Sequence, residues 1–277
     1  MAKTRATLRA MQARFAPWSS CAPQRLRGVV GVLTDIDDTL TRDGAIEPSA
    51  LGALERLAAA GLPVIAITGR PMGWSEPFAR AVPLRAIVAE NGGVALFREN
   101  GALCIEYAQD AATRQRNAIR LHAAAAAILR ELPEARLAID SAGRITDIAI
   151  DHSEHAELSA PGIERVVAIM QAHAMNATVS SIHINGWFGE HDKLSGARWI
   201  VRRLLGSDLD AQTPFWVYVG DSTNDQLMFR HFDLSVGVAN LLRFESQLHT
   251  WPAFLTAGER GAGFAEVAAA LIAVLER

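Results

Sequence analysis

The chain alternates between short, nearly continuous apolar runs and loops that are polar or contain glycine. Residues 29–34 end at Asp35, and 63–67 end at Thr68-Gly69-Arg70. Residues 85–89 end at Glu90-Asn91-Gly92-Gly93, 215–219 at Gly220-Asp221, and 234–238 near Asn240. Apolar runs without alternation are how strands buried on both faces of a parallel sheet read. Stretches with helical spacing lie between some of them: 48–60 stops at Gly61, 194–205 stops at Gly206, and 264–275 follows the last run. Glycine just past a periodic stretch is a helix stop signal. The pattern predicts a doubly wound, parallel-sheet α/β fold.

The middle of the chain reads differently. A long helical stretch over 111–132 is ended by Pro133. Strands over 136–139 and 145–151 flank a Ser141-Ala142-Gly143 turn, which suggests a hairpin. A helix over 163–174 and a strand over 178–184 follow. The order αββαββ predicts a compact α+β module over 105–189, inserted into a parallel-sheet domain made of 1–104 and 190–277.

Composition narrows the function classes. With 277 residues, 50% hydrophobic and 21% charged, the chain reads as a globular protein with a sizeable core. A net charge of −3 gives no bulk-charge argument for nucleic acid. No apolar run is long enough for a membrane span. The two cysteines, Cys21 and Cys104, have no metal-ligand spacing and build no disulfide framework, so a reducing cytoplasm is expected. The first acidic residue is Asp35. Residues 1–27 are therefore expected to be a basic, partly disordered extension whose composition mimics a transit peptide.

The chemistry begins where the first run ends. Asp35-Ile36-Asp37-Asp38-Thr39 sets three carboxylates within four residues at the end of a buried strand. Like charges this close raise each other's pKa, and a hard divalent cation such as Mg2+ relieves that cost. Residues two apart can aim at one side of an extended segment, so Asp35 and Asp37 can share one reacting centre. An acidic turn is the plainer reading of this motif alone. Further signals point the same way. Thr68-Gly69-Arg70 offers a hydroxyl and loop amides suited to a phosphate. Gly220-Asp221-Ser222-Thr223-Asn224-Asp225 delivers another carboxylate after a buried strand. Lys193, at the expected start of a helix, offers a cation.

These four motifs, in this order, resemble those of the haloacid dehalogenase superfamily, in its phosphatase branch. The resemblance covers most of the chain from about residue 29. The insert between the second and third motifs resembles the type IIB cap, in a branch that includes phosphatases of sugar phosphates and a phosphomutase. The resemblance implies a Rossmann-like core with an inserted α+β cap. It also implies that Asp35 attacks phosphorus and forms an aspartyl-phosphate, and that Asp37 protonates the leaving alcohol and then activates water. Asp35, the carbonyl of Asp37, and Asp221 would hold Mg2+. Thr68, Gly69 and Lys193 would hold phosphoryl oxygens, Thr39 would brace the Asp37 turn, and Asn224 and Asp225 would support the acidic loop. Asp38 stands where many relatives carry Gly or Asn and is read as tolerated turn chemistry.

The substrate is expected to be a small phosphorylated metabolite, in the sugar-phosphate class, with no nucleic acid or membrane partner and a monomer or homodimer as the assembly. The cap is expected to select it. Alternation places Ser181, His183 and Asn185 on one hydrogen-bonding face, and Trp187 is suited to stacking on a sugar ring; a polar solvent face with one packed aromatic is the alternative. Arg70 is expected to contact substrate or to form an interdomain ion pair. The acidic and histidine-rich stretch 151–155 has no zinc spacing and reads as a solvated loop. His122 and His173 read as surface or packing residues. A phosphomutase of the same fold and a catalytically retired binding module are the competing readings.

Overall fold

The computed structural model describes residues 14–276. The chain divides into two compact units, one formed by Met1–Ala66 with Ser207–Arg277 and the other by Ile67–Gly206.

The first unit is a parallel sheet with strands in the order Ala16–Pro17, Phe254–Leu255, Leu234–Gly237, Trp216–Gly220, Gly31–Thr34 and Val64–Ile67. Every residue of the last four is buried, which is why each reads as an unbroken apolar run. Trp216, which opens one of these strands, is fully buried. A Cβ at Gly31 would lie 2.4 Å from its ring, so only glycine fits there. Helices Pro48–Ala59 and Arg260–Leu275 pack together; the first buries Ala50, Ala53 and Leu54, and the second buries Phe264, Val267 and Leu271. The first matches its expected span, while the second begins at Arg260, ahead of the expected 264; a small hairpin, Thr41–Arg42 with Ala45–Ile46, follows the Asp35 loop.

The expected extension over 1–27 needs correction from Arg14 onward; residues 1–13 lie outside the described residues. Ala16–Pro17 pairs in parallel with Phe254–Leu255 at the sheet edge. Trp18 is 3% exposed, meets Phe254 edge-on at 5.5 Å, and donates Nε1–H to the Glu266 carbonyl. The composition signal is misleading because Arg14, Arg25 and Arg27 stay at the surface while Trp18 anchors the described part of the segment.

The second unit holds the antiparallel strands Ala86–Ala89, Val94–Glu99 and Ala102–Tyr107, with helices Met72–Ala81 and Lys193–Leu205. It also contains the αββαββ segment: Ala111–Glu131, Arg136–Leu137, Asp147–Asp151, Ala160–Ala172, Asn176–Val179 and His183–Trp187. Its four strands form an antiparallel sheet with His183–Trp187 and Asp147–Asp151 in the middle. The two helices bury Leu121, Ala124, Ile128, Val166 and Met170 against Ile150 and Ile184 on one face of that sheet. Asp110 caps the first helix by accepting from Thr113 N at 2.9 Å, and Ser159 caps the second by accepting from Gly162 N. Among the described residues no helix is long and apolar enough to cross a membrane.

Candidate active site

In the first unit, three parallel strands deliver polar residues at their carboxyl ends. Gly31–Thr34 leads into Asp35, Trp216–Gly220 into Asp221, and Leu234–Gly237 toward Asn240. Ligand sites collect at this end of open parallel sheets. One carboxylate oxygen each from Asp35, Asp221 and Asp225 lie within 4.8 Å of one another, and all three residues are buried. Converging carboxylate oxygens of this kind are the hard donors that a divalent cation such as Mg2+ takes. The donor set fits Mg2+, the ion the family resemblance implies.

The loop after Asp35 turns tightly on one acceptor. The Ile36 carbonyl takes hydrogen bonds from the backbone N–H of Thr39, Leu40 and Thr41, and from the Thr41 hydroxyl at 3.2 Å. This changes the reading of Thr39. Its backbone closes the turn, but its buried hydroxyl has no hydrogen-bond partner among the described residues. Asp37 is 9% exposed beside it. Asp38 adopts φ 54°, the left-handed region in which Gly and Asn are favoured. It is more than tolerated turn chemistry, because its Oδ1 accepts from Arg260 Nε at 2.6 Å.

Asp225 braces the second acidic loop. Its Oδ2 accepts from the backbone N–H of Asp221 and Ser222, and its Oδ1 accepts from the Tyr218 hydroxyl. The Tyr218 hydroxyl is held well above its ordinary pKa, first by burial and then by the negative charges of Asp225, Asp35 and Asp221. It therefore stays a donor. Asn224 accepts from the Ser222 hydroxyl at 3.0 Å, within the same loop.

In the second unit, Thr68 N donates to Val88 O, and the Thr68 carbonyl accepts from Asn91 N. The Thr68 hydroxyl accepts from Arg70 N at 3.0 Å, which folds the Thr68-Gly69-Arg70 loop on itself. Lys193 is buried at the first position of its helix, behind an Asp192 capping box with Ser195.

Arg70, His183 and Asn185, expected to reach substrate, lie in one buried polar network. Arg70 pairs with Glu154 at 2.6 Å and Asp140 at 3.3 Å, and its guanidinium sits over the Trp74 ring. His183 Nε2 is 2.9 Å from Glu154 Oε2. Burial alone would raise the Glu154 pKa, but hydrogen bonds and charge from His183 and Arg70 outweigh it and hold it at about 2. Asn185 donates to Asp147 and, at 3.3 Å, to the Gly69 carbonyl. Arg144 also donates to Gly69 O and pairs with Asp147 and Asp140.

The stretch 151–155, expected as a solvated loop, is partly interior. Asp151 and His152 are buried, and the Asp151 carboxylate accepts from the backbone N–H of Ser153, Glu154 and His155. Asp151, Glu154 and His183 could group around an ion by distance. The Arg70 guanidinium on Glu154 makes this an ion-pair network. Trp187 is also interior: it donates Nε1–H to His191 O and lies 5.8 Å from the His191 ring, so it does not serve as an open stacking platform. Ser181 falls outside the strand, with its hydroxyl buried. His122 and His173 are exposed, as expected.

Two groups escaped the sequence reading. Glu90 is fully buried, and its carboxylate accepts from the backbone N–H of Met72, Ile145 and Thr146 and from the Thr146 hydroxyl. Asn240, at the end of the fifth apolar run, bonds to both acidic loops. Its position after a buried strand, parallel to those of Asp35 and Asp221, is the signal that marks it.

A family model described as haloacid dehalogenase-like hydrolase matches residues 32–125, a stretch that holds Asp35, Asp37, Thr39, Thr68, Gly69 and Arg70. No curated protein matches the chain in sequence. Solved structures match in fold. The sucrose-phosphatase of Synechocystis sp. PCC6803, solved with sucrose and phosphate, aligns with a TM-score of 0.62 at 15% identity, over 88% of this chain and 98% of its own. A haloalkanoate-superfamily phosphatase from Bacteroides thetaiotaomicron gives 0.60 at 15% identity, over 92% and 99%. A Thermoplasma acidophilum protein gives 0.66 at 15% identity, over 88% and 98%. Residues 32–125 thus match the haloacid dehalogenase-like hydrolase family, and the chain shares its fold with these solved structures.

Proposed function

We propose that the protein is a Mg2+-dependent phosphatase of a small phosphorylated metabolite, in the sugar-phosphate class, acting through an aspartyl-phosphate on Asp35. The observation that carries this reading is the buried carboxylate group of Asp35, Asp221 and Asp225 at the carboxyl ends of adjacent parallel strands. The order of the motifs and the fold likeness to sugar phosphatases support it.

In this reading Asp35 supplies the attacking oxygen. Asp37, two residues on, gives its proton to the departing alcohol and then takes one from the water that hydrolyses the acyl phosphate. Asp35, the Asp37 carbonyl and Asp221 hold the cation, with Asp225 and Asn224 shaping the loop. Bound Mg2+ supplies charge neutralisation for the phosphoryl oxygens. Thr68, Gly69 and Lys193 are the proposed holders of those oxygens. Arg70, His183 and Asn185 act on substrate choice through the polar network they share. The free thiols of Cys21 and Cys104 accord with a reducing, cytoplasmic compartment.

The test is phosphate release across a panel of phosphate esters with Mg2+, using Asp35→Asn as the control. The expected result is turnover of one ester class and none in the variant. Wild-type-like turnover by Asp35→Asn would reject the nucleophile. Return of the phosphoryl group to the sugar without phosphate release would assign a mutase.

A further inference from the structure

Asn240 is 2% exposed and follows the buried Leu234–Gly237 strand. Its side-chain amide is engaged at both the nitrogen and the oxygen. Nδ2 donates to the Asp38 carbonyl at 2.9 Å and to Asp221 Oδ2 at 3.2 Å, while Oδ1 accepts from Arg260 N at 2.8 Å. The amide orientation follows from these partners. Flipped, its oxygen would face a carbonyl and a carboxylate, and its NH2 would face an N–H donor. Arg260 closes a second link through its ion pair with Asp38. Asp38 and Arg260 both sit at positive φ, 54° and 51°, so each end of this link depends on a backbone geometry that the other end helps to hold.

We propose that Asn240 is a positioning residue for the cation site: its amide sets the plane of the Asp221 carboxylate and the placement of the Asp38 carbonyl, one residue beyond the expected Asp37 ligand. This inference rests on the phosphatase reading of the site and adds a residue to it. A hydrogen bond to Oδ2 of a carboxylate fixes the direction of its other oxygen. The same amide anchors the loop whose preceding carbonyl is the expected ligand. One side chain therefore sets the spacing between two donors contributed from opposite ends of the chain. Partners of metal ligands at this remove typically change metal affinity by about 10- to 100-fold when lost.

The test is Mg2+ binding by isothermal titration calorimetry on the full chain, alongside thermal unfolding without metal and phosphate release at increasing Mg2+. Asn240→Ala is expected to raise the Mg2+ Kd by about 10- to 100-fold, with activity partly recovered at high Mg2+. A merely structural role would lower the unfolding temperature and leave the Kd of the folded protein unchanged, and that result would overturn the inference. If Asn240→Ala does not fold, Asn240→Ser carries the same test. Its short hydroxyl cannot reach both loops, so a wild-type Kd in that variant overturns the inference equally. A wild-type chain that binds no Mg2+ removes the cation site, and this inference with it. Wild-type binding together with an unchanged variant Kd removes this inference alone.

Discussion

Tyr218 donates its hydroxyl to Asp225 Oδ1 at 2.5 Å, entirely inside the first unit. The strand that carries Tyr218 also carries Gly220 and leads into Asp221, so this bond ties the acidic loop back to the strand that launches it. A hydrogen bond to a charged acceptor contributes about 1.5–3 kcal/mol. Tyr218→Phe should cost that much in urea unfolding and should also weaken Mg2+ binding. A loss below about 0.5 kcal/mol would show the bond to be dispensable.

Glu90 should behave as a structural carboxylate. It joins the first turn of the Met72–Ala81 helix to residues 145 and 146, all within the second unit. Glu90→Gln keeps the size but replaces one acceptor oxygen with a donor that faces N–H groups. A destabilisation of about 3 kcal/mol is expected from chemical denaturation. Unchanged stability would mean that water replaces these contacts.

His191 gives a pH signature. Burial lowers its pKa to about 4, with Asp192 opposing the shift, and its Nε2 has no hydrogen-bond partner among the described residues. Its folded pKa is depressed below the unfolded value of 6.5. The unfolded chain therefore takes up this proton first, and stability should fall as pH drops from about 6.5 toward 4. Ring-proton NMR should show His191 titrating near 4. A midpoint near 6.5 would contradict the burial. His191→Phe should flatten the stability slope in this window.

Bound Mg2+ should stabilise the protein as a ligand of the native state. At about 100 times its Kd the gain is about 2.7 kcal/mol. Melting with and without Mg2+ measures it. Asp221→Asn should remove most of the gain, since the variant loses a charged donor. An equal shift in that variant would place the cation elsewhere.

The parts of the fold that sequence made legible share a cause. Strands 31–34, 64–67, 216–220 and 234–237 are buried on both faces, so burial wrote itself into unbroken apolar runs. The αββαββ segment showed because its helices and strands have opposite periodicities and firm caps at Asp110 and Ser159. Helix Met72–Ala81 was hidden by Pro77 inside it, and the Val94–Glu99 hairpin by a polar loop that resembles any turn. Asp35 and Asp221, which the structure brings together with Asp225, stand out in the sequence because their type and spacing carry chemistry. Glu90, Asn240 and Tyr218 do not, because each acts through partners that only folding supplies. Arg70 and Trp187 each take the second of their two expected states, an ion pair with Glu154 and Asp140 and a packed interior aromatic, because their own chain engages them.

The Gly31–Thr34 strand pairs with Val64–Ile67 on one side and Trp216–Gly220 on the other. During synthesis the first neighbour emerges almost at once, while the second must wait for the whole of Ile67–Gly206. At ordinary translation rates that interval is roughly 10–30 s. Throughout it, an apolar strand edge stands open on the ribosome, while the contiguous second unit is free to fold. A chain released before Trp216 would keep that edge and lack Asp221. It would be both inactive and prone to edge-to-edge association.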